Sequence, residues 1–218
     1  MKFITCYFDF VSPYAYLAIE RLPEALTGLS HAVTYRPVLL GALLQHNGHT
    51  GPAGIAPKRA WTYRHAEWLG QSLGIELQMP AAHPFNPLPL LRLALANSRD
   101  GSINRCVTTN FMRHVWTGGG DALDPARLQA LGNLQPAHSG SEHSGSDTAS
   151  AAKAQLRANT DAAVALQVFG VPSFVVDDKV FWGLDALPML RAYLSGDPWF
   201  ASQRWGDLPA VPNGLTPS

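Results

Sequence analysis

Two short stretches place polar groups where backbone geometry concentrates their effect: F-D-F-V-S-P-Y at residues 8–14 and F-G-V-P-S-F at 169–174. Ser12 stands where an apolar, strand-like run gives way to helical spacing, and Pro13 takes the first helical position, where its missing N–H costs nothing. A serine at that point is an N-cap. The same geometry also suits chemistry, because the unpaired amides and the positive end of the helix dipole stabilise an anion. Where a cysteine stands at such a site the anion is its own thiolate. A hydroxyl lacks that sulfur but can hydrogen-bond a thiolate carried in by a ligand. In the second stretch, Pro172 either ends a loop in the ordinary trans form or follows a cis bond, which prolyl peptides tolerate. A cis Val171–Pro172 bond would turn the N–H and C=O of Val171 outward, ready to pair with an extended peptide-like ligand by strand addition.

The surrounding pattern says which elements would position these residues. Lys2 to Asp9 is rich in aromatic and β-branched residues and reads as a strand. From Pro13 to about Leu26 the apolar residues Tyr14, Leu17, Ala18, Leu22 and Ala25 recur at helical spacing. His31 to Pro37 gives a second strand, so the opening is β-α-β with a parallel pair. Near the other end, Ser173–Val176 and Val180–Trp182 flank Asp177-Asp178-Lys179 as a hairpin, and a helix follows from about Ala186 to Leu194. Between these units helix patterns dominate: 58–73, 89–97, 103–116, 125–131 and 151–168. The Gly/Ser-rich stretch 135–150 reads as a mobile surface loop, and its two histidines lack the companions a metal site needs. The expected fold is α/β: a discontinuous thioredoxin-like domain (1–40 and 168–218) interrupted by an all-helical insertion (41–167). That layout brings Ser12 and Pro172 together.

Composition narrows the function classes. Sixteen basic and sixteen acidic residues cancel, so no broad field argues for nucleic acid or an anionic membrane. No run approaches the roughly 18 apolar residues of a membrane span. The N-terminus enters a strand pattern at once, without the regions of a signal peptide, and the chain reads as cytoplasmic. Cys6 and Cys106 form neither a C-x-x-C pair nor a zinc spacing, and both read as buried. No redox chemistry of the chain's own and no metal are expected.

The motifs F-D-F-x-S-P (8–13), R-P-V-L-L-G (36–41), P-K (57–58), F-G-V-P-S-F (169–174) and F-W-G-L-D (181–185) resemble the 2-hydroxychromene-2-carboxylate isomerase family. These glutathione-dependent enzymes of bacterial naphthalene breakdown are similar to kappa-class glutathione transferases and bacterial disulfide oxidoreductases. The likeness spans most of the chain, in order. It is weakest over 135–150, and Gln167 stands where the family often has glycine, which implies an altered turn before Phe169.

The resemblance implies that Ser12 contacts the glutathione sulfur and that Val171, beside Pro172, pairs with the cysteinyl backbone. Asp185 would take the γ-glutamyl ammonium, with Trp182 from the same motif beside the ligand; from its residues alone Asp185 is equally an exposed helix cap. Lys58 would face the glycyl carboxylate or be solvated helix charge, as would Arg59, and Asn47 is a further candidate. Asn86 would meet the substrate or cap a turn, with the turn favoured. Arg36 or Lys58 would hold a substrate carboxylate. Tyr14, Trp61, Tyr63 and Trp68 would frame an apolar pocket or simply belong to the core. The implied activity interconverts 2-hydroxychromene-2-carboxylate and trans-o-hydroxybenzylidenepyruvate through reversible thiolate addition, with glutathione as cofactor and a homodimer as assembly. The rivals are a kappa-like transferase or peroxidase acting on another electrophile, a disulfide oxidoreductase, which the serine at position 12 disfavours, and a non-catalytic binding module.

Overall fold

The computed structural model describes residues 1–134 and 145–207. Four strands, β1 (Lys2–Phe8), β2 (His31–Pro37), β3 (Ser173–Val176) and β4 (Lys179–Trp182), form one sheet in the order β2-β1-β3-β4. β1 runs parallel to β2 and antiparallel to β3, while β3 and β4 form the hairpin. Helix α1 (Pro13–Ala25) makes the crossover between the parallel strands. Among the described residues six helices lie between β2 and β3: α2 (Leu40–His46), α3 (Ala56–Leu73), α4 (Leu88–Leu95), α5 (Arg105–Trp116), α6 (Pro125–Asn133) and α7 (Gly145–Ala165). α8 (Leu187–Leu194) and a short α9 (Gln203–Asp207) follow the hairpin. This is a thioredoxin-like fold carrying a helical insertion.

The alternation of β1 decides what packs on each side. Ile4, Cys6 and Phe8 face the larger core with Leu17 and Leu22 of α1, Leu90 and Leu91 of α4, and Phe111 and Met112 of α5. Tyr7 points the other way, into a smaller cluster with Leu43, Ala163, Val168, Val171 and Val175. The inserted helices therefore share a core with the sheet unit instead of packing only on themselves.

Several local features differ from the sequence expectations for identifiable reasons. Asp177 (φ 48°) and Asp178 (φ 62°) alone form the hairpin turn, and Lys179 pairs with Val176 inside the ladder. Two left-handed residues match the twist of the strands, so the third was not needed. Residues 145–150 belong to α7 and not to a loop; 135–144 lie outside the described residues. Cys106 is exposed on α5, whereas Cys6 is buried as expected.

Gln167 takes φ 61°, the left-handed conformation that glycine favours. It closes α7 in a Schellman arrangement, with the Val168 N–H donating to Ala163 O at 2.9 Å. Gln167→Gly is expected to stabilise the protein by about 0.5–1 kcal/mol. Chemical denaturation of the two proteins reads that difference directly.

Candidate active site

The register Tyr7↔Ser173 brings the loop leaving β1 and the loop entering β3 to the same edge of the sheet. The first loop carries Ser12 and the second carries Val171–Pro172, whose peptide bond is cis.

Ser12 caps α1: its Oγ accepts the Ala15 N–H at 3.2 Å, and its C=O accepts the Tyr16 N–H at 3.2 Å. It is only 6% exposed. Its hydroxyl proton and the Tyr14 N–H have no acceptor among the described residues. Opposite them, the Val171 N–H and C=O also lack partners among those residues, although the neighbouring Pro172 C=O accepts the Gly183 N–H at 2.9 Å. Buried backbone groups are almost always paired, so these are positions for a ligand's polar groups.

The loop before Ser12 is held by side chains from three directions. The Asp9 carboxylate, fully buried, accepts the Val11 N–H at 3.1 Å and the Leu40 N–H at 2.9 Å. Trp116 Nε1–H donates to Phe10 O at 3.0 Å. His83 Nε2 lies 2.8 Å from Val11 O, and its Nδ1 lies 2.8 Å from the Tyr63 hydroxyl. A carbonyl only accepts, so Nε2 carries the proton. Burial holds the His83 imidazole below its ordinary pKa, partly offset by the Val11 bond. Burial pushes the Asp9 carboxyl up to about 7, against the pull of the amides of Leu40, Val11 and Phe10.

A cavity of about 820 Å³ opens at this edge, lined by Tyr14, His65, Val171, Pro172, Trp182 and Asp185 and continuing past Leu69 and Leu73. Four expected glutathione contacts, Val171, Pro172, Trp182 and Asp185, thus share one cavity; Ser12 lies at its edge of the sheet but is not among the lining residues. The remaining candidates sit elsewhere. Arg36 donates to Asp100 O at 2.8 Å and Asn159 Oδ1 at 3.1 Å, tying β2 to α7. Asn47 is exposed and donates to Leu43 O at 2.8 Å, closing α2. Lys58 and Arg59 are exposed on the first turn of α3. Asn86 Oδ1 accepts the Leu88 N–H at 3.1 Å, making the turn into α4. Of the four aromatics, only Tyr14 lines the cavity. Trp61 and Trp68 are 65% and 61% exposed. Among the described residues no cluster of three or more His, Cys, Asp or Glu could hold a metal.

Asp185 depends on a glycine two residues before it. Gly183 has φ 102°, and a Cβ there would come within 2.3 Å of Asp185 Oδ1. Gly183→Ala must therefore displace the carboxylate. With Asp185 taking the γ-glutamyl ammonium, as the resemblance implies, the expected result is a rise of about tenfold in the KM for added glutathione with a smaller change in kcat, read by steady-state kinetics.

A serine-capped helix start facing a cis-proline loop on a mixed four-stranded sheet defines the class. The chain belongs to the DSBA-like thioredoxin domain family, whose model matches residues 3–195. Over 203 residues it is 28% identical to 2-hydroxychromene-2-carboxylate isomerase of Sphingobium xenophagum, covering 88% of this chain and 98% of the relative. It is 24% identical over 221 residues to rat glutathione S-transferase kappa 1, covering 91% and 92%. A solved 2-hydroxychromene-2-carboxylate isomerase superposes with a TM-score of 0.70 at 23% identity, covering 95% of this chain and 98% of the other.

Proposed function

We propose that this protein is a glutathione-dependent isomerase that interconverts 2-hydroxychromene-2-carboxylate and trans-o-hydroxybenzylidenepyruvate in the breakdown of naphthalene-type aromatics. The observation that carries the reading is the set of free hydrogen-bonding groups on the two loops: the Ser12 hydroxyl and Tyr14 N–H on one, and the Val171 N–H and C=O on the other. They fit a thiolate and a cysteinyl backbone respectively. Relatives named for this reaction match along nearly their whole length, which supports the choice of substrate.

When bound, glutathione supplies a thiolate whose reversible addition turns a carbon–carbon double bond temporarily single, so that rotation can occur. The chain's own part is to hold that sulfur. The Ser12 O–H, the Tyr14 N–H and the dipole of α1 favour the anion over the thiol. Asp185 offers a carboxylate to an ammonium, and Val171 fixes the peptide between them. The apolar reach past Leu69 and Leu73 offers a surface for the aromatic part of the substrate. Neither cysteine lines the cavity: Cys6 is buried in the sheet core and Cys106 is exposed on α5.

The kappa-like alternative uses the same site on another electrophile and is favoured by the likeness to glutathione S-transferase kappa 1. Incubating the protein and glutathione with 2-hydroxychromene-2-carboxylate, and separately with a chloronitrobenzene, separates the two. Formation of the trans product supports the isomerase; conjugation without isomerisation supports the transferase. The same reading carries a cytoplasmic homodimer, for which sedimentation at two subunits' mass is the expected result.

A further inference from the structure

We propose that Tyr14 and His65 act as one proton-accepting pair for the thiol held at Ser12, a claim that rests on the glutathione reading above. At the helix start the Ser12 O–H and the Tyr14 N–H are donors without an acceptor among the described residues, while Ser12 Oγ already accepts the Ala15 N–H. Donors stabilise a thiolate but take no proton away; the thiol proton leaves either to water or to a base within the cavity. The buried groups beneath it are committed. Both Asp9 oxygens accept amides, and both His83 nitrogens have partners.

The charged groups facing the cavity narrow the choice. Arg21 and Glu24 of α1 are paired with each other. Arg191 of α8 donates to Ala25 O and Thr27 O at 2.7 and 2.9 Å. Asp185, from the turn before α8, is the group that the glutathione reading assigns to the γ-glutamyl ammonium. Tyr14 and His65 remain, both lining the cavity, with the Tyr14 hydroxyl 2.9 Å from His65 Nδ1.

The transfer balances as two linked proton movements with no redox change. The S–H bond breaks and an O–H bond forms on Tyr14, while the original Tyr14 O–H breaks and an N–H forms at His65 Nδ1. The products are a thiolate and an imidazolium, and the reverse sequence returns the proton. Three features suit the pair to this. Burial keeps Tyr14 a neutral phenol, with the Thr62 hydroxyl pulling its pKa down and the Asp185 charge pushing it up. Trp61 and Trp68 stack on the His65 ring at 5.9 and 6.2 Å, each inclined by 13°. Those stacked faces hold the imidazole in place beside the Tyr14 hydroxyl. Histidine is also the side chain that takes and releases protons near neutral pH.

The test titrates glutathione on the full-length protein by the ultraviolet absorbance of its thiolate, in the original sequence and in Tyr14→Phe and His65→Gln. Binding is checked in parallel by calorimetry. The thiol pKa is expected to rise by about one unit in each variant, with the double variant no worse than either alone. An NMR titration of the His65 imidazole should show proton uptake on glutathione addition, lost in Tyr14→Phe. An unchanged thiol pKa in Tyr14→Phe with glutathione still bound, or no proton uptake at His65, overturns the pair and leaves the glutathione reading intact. No glutathione binding by the original sequence overturns both.

Discussion

Replacing Ser12 with alanine is expected to lower kcat about a hundredfold, the lower end of the loss when one donor to the charge changing in the transition state is removed. The fold should survive. The substitution removes the acceptor for the Ala15 N–H, and loss of an N-cap costs about 1 kcal/mol. For a chain of this size that is a fall of about 2–4 °C in melting temperature. The two effects separate the roles of the residue: a cap alone would show the thermal change without the kinetic one. Glutathione binding measured on the same protein should weaken only modestly, because Val171, Asp185 and the helix dipole remain. Unchanged turnover would return Ser12 to the role of a cap.

Asp9 governs a second large effect, on stability as a function of pH. Its folded pKa is pushed up to about 7 from the ordinary 3.8, because the carboxyl is fully buried. A raised folded pKa means that the folded state holds its proton longer than the unfolded chain does. The associated stability is fully present below about pH 4, declines as pH rises, and is lost above about pH 7. Integrated over that window the loss is on the order of 4 kcal/mol. Asp9→Asn removes this titration and also turns an amide toward one of the N–H groups of Val11 and Leu40, which costs about 1–3 kcal/mol. The variant is therefore expected to be less stable than the original at pH 5 and to close or reverse that gap at pH 8. Urea denaturation at both pH values reads the crossover, and parallel curves would remove Asp9 as its cause.

The contrast between these two residues shows what was legible in the sequence. Ser12 announces itself locally, through the strand-to-helix change and the proline that follows. The Val171–Pro172 site does so too, because it precedes a hairpin whose alternation is plain. Their convergence follows from topology alone once β1 and β3 are neighbours. Asp9 gave no such signal. Its function depends on the amide of Leu40, 31 positions away, which approaches only after β2 has paired and the chain has turned into α2. His65 and His83 come from inserted segments whose packing no periodicity encodes, and they sit 51 and 72 positions from Tyr14 and Val11, which they contact. Arg36 shows the reverse case. Its charge suggested a carboxylate ligand, but the fold supplies it with Asp100 and Asn159. The exposed thiol of Cys106 likewise depends on which face α5 turns toward α1, a choice set by the larger side chains Phe111 and Met112.

The central claim is that the helix start at Ser12 holds a thiolate that belongs to another molecule. The most direct test follows conversion of 2-hydroxychromene-2-carboxylate by the purified protein alone, with glutathione, and with S-methylglutathione, which keeps the peptide but has no free thiol. Conversion with glutathione, none in the other two mixtures, and inhibition of the glutathione reaction by S-methylglutathione are the predicted results. Conversion at an equal rate without a free thiol would contradict the account.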